Sequence, residues 1–233
     1  MIEAEWWEYE SLDELAEAVA GDVGFIVESA LDARGACLLA LPGGRTPEPI
    51  FARLAEASLS WKKVTIIPTD DRLVPMQDER SNVRAIAQAF LKAGARVVPI
   101  ATEIPDHKLA GNSADARLQD LGWPPDLVWL GMGEDGHTAS IFDGPDLQAA
   151  LDAPKARRAV GVMPDPMPAD APVARVTLTR AAILSARAIL IAITGDKKRE
   201  VLEQAIADGH SSRLPIGRVL AEAEQPIDIH WAP

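Results

Sequence analysis

Six short apolar runs, bounded by turn residues and separated by stretches of helical spacing, constrain this chain more than any other feature. They fall at residues 36–41, 64–67, 97–100, 126–130, 173–179 and 188–194. Between them, Ser11-Leu12-Asp13-Glu14 has the form of a capping box, and Leu12, Leu15, Val19, Val23 and Ile26 follow with helical periodicity. Pro47 suits the first turn of a helix running to about Ala57. Further helices are expected at roughly 79–93, 108–121 and 196–207, with a short one between 179 and 188. Strands alternating with helices in this way imply an α/β fold with a mostly parallel, Rossmann-like sheet and helices on both faces. Residues 143–171, rich in Pro, Asp and Ala, read mainly as an excursion over the surface.

The chain has 233 residues, 48% of them hydrophobic and 25% charged, and shows no internal repeat or Gly/Ser linker. That size is enough to bury a core without staples, so residues 1–233 are expected to form one domain. The single cysteine, Cys37, lies inside an apolar run and reads as a buried small hydrophobe, which fits a reducing, cytoplasmic setting. The N-terminal Met1-Ile2-Glu3-Ala4-Glu5-Trp6-Trp7 is acidic and lacks the apolar core of a secretory signal. No apolar stretch is as long as a membrane span requires, so no membrane partner is expected. A net charge of −12 opposes general nucleic-acid binding, yet a few cations focused in a cleft still suit one small anion.

Four apolar runs end in loops that carry polar chemistry. Gly43-Gly44-Arg45-Thr46-Pro47, at a helix N-terminus, offers backbone N–H groups, a helix dipole and a hydroxyl to a phosphate; alone it reads equally as a tight turn with a capping Thr. Asp70-Asp71-Arg72 places two carboxylates beside a guanidinium at a strand end, and alone reads equally as a local ion pair. The run at 126–130 empties into Gly131-Met132-Gly133-Glu134-Asp135-Gly136-His137-Thr138-Ala139-Ser140. Here glycines let backbone approach a ligand, and a histidine can take and return a proton near neutral pH. Finally, Arg175-Val176-Thr177-Leu178-Thr179 and Gly195-Asp196-Lys197-Lys198 each put a cation near a strand terminus. Singly, Arg175 reads as a strand-edge charge, and Lys197 or Lys198 as a solvated helix face.

Other chemistries fit less well. Gly131–Gly136 matches G-x-G-x-x-G, but Asp152, at the distance of a ribose-binding acid, sits in Ala150-Leu151-Asp152-Ala153-Pro154, which does not read as a strand end. No G-x-S-x-G elbow or H-E-x-x-H helix is present. Cys37 has no partners for zinc, and a metal held by Asp70, Asp135 and His137 is disfavoured, so no metal and no cofactor are expected. His107, His210 and His230 receive no role.

Taken in order, Gly43-Gly44-Arg45-Thr46, Asp70-Asp71-Arg72-Leu73-Val74-Pro75, the 131–140 loop, Arg175–Thr179 and Gly195–Lys198 resemble the 6-phosphogluconolactonase family over about residues 36–220. Arg45 stands where many relatives carry a small hydroxyl residue, which leaves Thr46 as the hydroxyl ligand, and Asp143 stands where proline is common. The chain is also similar to the related glucosamine-6-phosphate deaminases, which carry a glutamate five residues after the histidine; here that position is Phe142. A deaminase-like isomerase and a non-catalytic sugar-phosphate sensor are the alternative readings.

The resemblance implies a sugar-phosphate isomerase/deaminase-like architecture. It also implies hydrolysis of 6-phospho-D-glucono-1,5-lactone to 6-phospho-D-gluconate in the oxidative pentose phosphate route. The expected catalytic set is His137 as base, Asp135 orienting the loop or the imidazole, Arg72 and Asp70. The oxyanion falls to N–H groups near Gly133 or to Arg72. The phosphate is expected between Gly43, Gly44, Arg45, Thr46, Arg175 and Lys198, with Asn82 and Asp70 as candidates for sugar hydroxyls. The expected partner is a phosphorylated sugar lactone, and a monomer is favoured.

Overall fold

The computed structural model of the chain describes residues 2–101 and 103–233; Met1, where the N-terminal reading begins, lies outside them. The first half runs β1 (Ala4–Glu8), α1 (Leu12–Arg34), β2 (Cys37–Leu41), α2 (Pro47–Glu56), β3 (Val64–Pro68), β4 (Asp70–Arg72), α3 (Asn82–Phe90) and β5 (Arg96–Val97). The second runs α4 (His107–Gln119), β6 (Leu127–Leu130), α5 (Leu147–Leu151), β7 (Ala159–Val162), β8 (Arg175–Leu178), α6 (Arg180–Leu184), β9 (Ala188–Thr194), α7 (Asp196–Asp208), α8 (Pro215–Leu220) and β10 (Ile227–Ala232).

Local chemistry sets the boundaries. The Ser11 hydroxyl accepts from the Glu14 N–H at 3.2 Å, and the Glu14 carboxylate reaches back to the Glu10 N–H at 3.1 Å, so the expected capping box closes one residue further out. Gly35, at φ 72°, ends α1 in the left-handed conformation that a residue without Cβ adopts readily.

Among the described residues, seven parallel strands form the main sheet in the order β1-β10-β9-β6-β2-β3-β5. Because side chains alternate along a strand, each strand feeds two cores. Leu39, Leu41, Ile66, Trp129 and Leu190 face α1, α2 and α3, where the fully buried Trp129 packs edge-on against Phe51 at 5.5 Å. Leu38, Ala40, Ile67, Val128, Leu130, Ile189 and Ile191 face residues of α4, α5, α7 and α8. The α/β reading with a mostly parallel sheet and helices on both faces therefore holds.

Several local expectations need correction. The Trp-rich N-terminus is an edge strand, β1, paired with β10, a strand not read from the sequence. Asp70-Asp71-Arg72 is not a loop: it forms β4, which joins β8 and β7 in a three-stranded antiparallel sheet. Residues 143–171 contribute both α5 and β7 and are not only a surface excursion. Within α1, Leu12 is 41% exposed and stays outside the core that Leu15, Val19 and Val23 enter.

The strand order creates a switch point. From β2 the chain proceeds outward through β3 to β5, and then returns to β6 on the other flank of β2. The loops leaving the carboxyl ends of β2 and β6 diverge there and leave a crevice between them. The small sheet begins directly after β3, tied down by hydrogen bonds from Thr69 N–H to Leu41 O and from Leu178 N–H to Thr69 O, both 2.9 Å.

Candidate active site

At the switch point lies a cavity of about 260 Å³ lined by the Gly43–Thr46 loop, Asp70, Arg72, Asn82, Gly131, Met132, Gly133, His137, Ala139, Asp170, Arg175 and Lys198. The structure thus brings together around one cleft every sequence-predicted site residue except Asp135, which stands behind His137. Lys198, the lysine expected at the phosphate, lines the cleft from the first turn of α7, and Lys197 does not.

The β2 loop is built to admit a ligand. A Cβ on Gly43 would overlap the Asn82 side chain, so the residue without one is required. Gly44 takes φ 106°. The N–H groups of Gly43, Gly44 and Arg45 donate to no acceptor among the described residues. Thr46 occupies the N-cap position of α2 without a capping hydrogen bond, so its hydroxyl is not spent on the helix.

The β6 loop positions the histidine. His137 Nδ1 lies 2.5 Å from Asp135 Oδ1, which also accepts from the His137 N–H at 3.2 Å. A carboxylate only accepts, so Nδ1 donates this hydrogen bond and Nε2 is left for another partner. Burial alone would raise the Asp135 pKa; the hydrogen bond and charge of His137 outweigh it and hold the carboxyl below its usual value. A Cβ on Gly133 would collide with the imidazole and with Asp135. The Gly133 N–H itself is consumed by the His137 carbonyl at 2.9 Å, which leaves the other N–H groups near it and Arg72 for an oxyanion. Ala139, a cleft residue without glycine's freedom, is held at φ 48° in the turn that joins Thr138 to Ile141.

Strand alternation separates the two aspartates. Asp70 and Arg72 share the cleft face of β4, whereas Asp71 points away and anchors the start of α3. The Asp71 carboxylate accepts from the N–H groups of Arg72 (2.9 Å), Asn82 (2.7 Å) and Val83 (3.1 Å) and from the Ser81 hydroxyl (3.2 Å). Burial pushes its pKa up to about 6 against the pull of those N–H groups. Asp70 accepts from the Ser140 hydroxyl at 2.5 Å, and the Asn82 amide donates to the Asp70 carbonyl at 2.8 Å. Asn82 Oδ1 also accepts from Arg72, which fixes that guanidinium.

Arg175, 3% exposed, sits on β8 at the centre of the small sheet, not at an edge. Burial, and then the neighbouring charge of Arg72, lower its pKa. Burial lowers that of Lys198 too, with Arg45 adding repulsion and Glu134 and Asp135 opposing it. A cleft whose cations repel one another inside an acidic protein favours an anion. Among the described residues no group of three or more His, Cys, Asp or Glu side chains could hold a metal ion, and no helix is long and apolar enough to cross a membrane.

Sequence reasoning missed three participants: Ser140 on Asp70, Asp170 at the rim, and Phe142, whose ring stacks on His137. Ser140 was visible as the last member of the glycine-loop motif; Asp170 lay in a stretch without periodic signal.

The chain is similar to known proteins along nearly its whole length. The family model described as "Glucosamine-6-phosphate isomerases/6-phosphogluconolactonase" matches residues 10–231. A 6-phosphogluconolactonase of Rhizobium meliloti (strain 1021) is 42% identical over 97% of each chain. One from Pseudomonas putida is 35% identical over 94% of this chain and 89% of its own. The crystal structure of a 6-phosphogluconolactonase from Shewanella baltica OS155 superimposes with a TM-score of 0.91 at 30% identity, covering 100% of both chains.

Proposed function

The chain belongs to the glucosamine-6-phosphate isomerase/6-phosphogluconolactonase family, and from that premise we propose that it hydrolyses 6-phospho-D-glucono-1,5-lactone to 6-phospho-D-gluconate. The observation that carries the reading is the 2.5 Å contact between His137 Nδ1 and Asp135 at the edge of a cleft that Arg175 and Lys198 also line. A base and a set of phosphate-suited cations share one cavity. The deaminase alternative lacks support, because the position that would carry its glutamate is Phe142, whose ring lies against the histidine.

In this mechanism Nε2 of His137 takes a proton from water as the water oxygen bonds to the lactone carbonyl carbon. Asp135 holds the tautomer and steadies the imidazolium. The carbonyl oxygen becomes an oxyanion, for which the Arg72 guanidinium, restrained by Asn82, is the charge at hand. The bond from that carbon to the ring oxygen then breaks, and the departing alkoxide takes the proton back from Nε2. The 6-phosphate lies among the free N–H groups of the Gly43–Thr46 loop, Arg175 and Lys198, where Arg offers two parallel hydrogen bonds and Lys a point charge. Asp70 and Asn82 meet sugar hydroxyls. The enzyme works as a single-domain monomer in the cytoplasm, in the oxidative pentose phosphate route, without a metal or organic cofactor.

The test is proton release from lactone generated in the assay, followed by stopped flow because the lactone also opens spontaneously. Turnover well above the spontaneous rate is expected. A rate equal to the background, with 6-phosphogluconate still bound, would leave the sensor reading in its place.

A further inference from the structure

We infer that Phe142 is a positioning residue that sets the plane of the His137 imidazole; this rests on the lactonase reading above. The phenyl and imidazole rings lie 4.3 Å apart between centroids with 26° between their planes, a stacked geometry. Phe142 stands outside the residues that line the cleft and meets it through His137, against which its ring lies.

The polar anchor of His137 cannot do this alone. Asp135 is 63% exposed on its side chain, and among the described residues His137 is its side-chain partner. One hydrogen bond at Nδ1 sets a distance and leaves the ring free to tilt. A flat apolar face against the imidazole removes that freedom.

Phe142 is itself well held. The Ile141 N–H bonds to Thr138 O at 2.9 Å, Ile141 is fully buried, and the Ser140 N–H bonds to Thr177 Oγ1 at 3.2 Å. The Arg175 guanidinium also lies 5.2 Å from the phenyl centroid. The ring that orients the base therefore rests beside the cation assigned to the phosphate, and the small sheet transmits its rigidity to the glycine loop.

The test compares Phe142→Leu, which keeps apolar bulk without a flat face, with Phe142→Tyr, which keeps the face. Misplaced reacting groups cost up to about a hundredfold, so Phe142→Leu is expected to lose about tenfold or more in kcat with KM nearly unchanged, and Phe142→Tyr to stay near wild type. The second readout needs no turnover: the His137 ring-proton resonance, assigned by its loss in His137→Gln, is expected upfield in wild type and Phe142→Tyr and to move downfield in Phe142→Leu. Should Phe142→Leu not fold, Phe142→Met takes its place. Wild-type kcat in the non-aromatic variant, an unmoved resonance, or a loss confined to KM each overturns the proposal. A wild-type chain without turnover would instead sink the lactonase reading, and the resonance would still decide whether the rings stack.

Discussion

Arg72 and Arg175 stand directly opposite one another across the antiparallel pairing of β4 and β8. Like charges in that register destabilise a sheet, and the Nε atoms of both are buried without a partner among the described residues. An arrangement that is unfavourable when empty becomes favourable when an anion neutralises it, which ties this piece of packing to ligand binding.

For Arg175→Ala and Lys198→Ala we therefore expect a rise in KM for the phosphorylated lactone of about tenfold or more, the scale of one charge-assisted hydrogen bond of about 1.5–3 kcal/mol. Turnover of unphosphorylated gluconolactone should change little. Parallel loss on both substrates would show that these cations serve the chemistry and not the phosphate.

The Asp135–His137 pair makes a prediction about kcat. His137→Ala should lose about a hundredfold or more, the usual scale of general base catalysis, with a smaller effect on KM. Asp135→Asn should also lower kcat, because an amide can donate to Nδ1 and drive the proton onto Nε2. A folded His137→Ala enzyme with near-wild-type turnover would remove the base from the mechanism.

Gly43→Ala isolates the phosphate loop. The added Cβ would overlap Asn82, which in turn holds Arg72 and the Asp70 carbonyl. We expect kcat/KM to fall about tenfold or more, since displacements near 1 Å carry penalties of that order, while the far-ultraviolet circular dichroism stays native. Unchanged kinetics would mean that Asn82 yields without disturbing Arg72.

His230 sets an acid limit on stability away from the cleft. It is fully buried, bonded through Nδ1 to the Tyr9 hydroxyl at 2.9 Å, and burial lowers its pKa to about 4, with Asp228 opposing the shift. Below about pH 6.5 the unfolded chain binds a proton that the folded chain refuses until about pH 4, so this contribution is present above pH 6.5 and is lost as pH falls towards 4. The loss is on the order of 3 kcal/mol across that window. Urea unfolding of His230→Phe should give a lower stability at pH 7 but a flatter dependence between pH 4 and 6.5. An unaltered slope would place the acid sensitivity elsewhere.

Local chemistry alone determined the strands and helices of the main alternation apart from β1, β4, α5, β7 and β10, the Gly43–Thr46 and 131–140 loops at strand ends, and the nearness of an acid to His137 two residues away. Each of these is written in contiguous residues, where glycine content, capping residues and apolar periodicity act directly on the backbone. Tertiary structure decided what contiguous residues cannot encode. Asp70 separated from Asp71 because β4 pairs with β8, about a hundred residues further along, and that pairing selects which side chains of an alternating strand meet the cleft. The Gly133 N–H was lost to the His137 carbonyl because the loop folds back on itself. Phe142 read as a missing carboxylate and turned out to be a ring against the base, since stacking depends on where two backbones bring their side chains in space and leaves no trace in spacing.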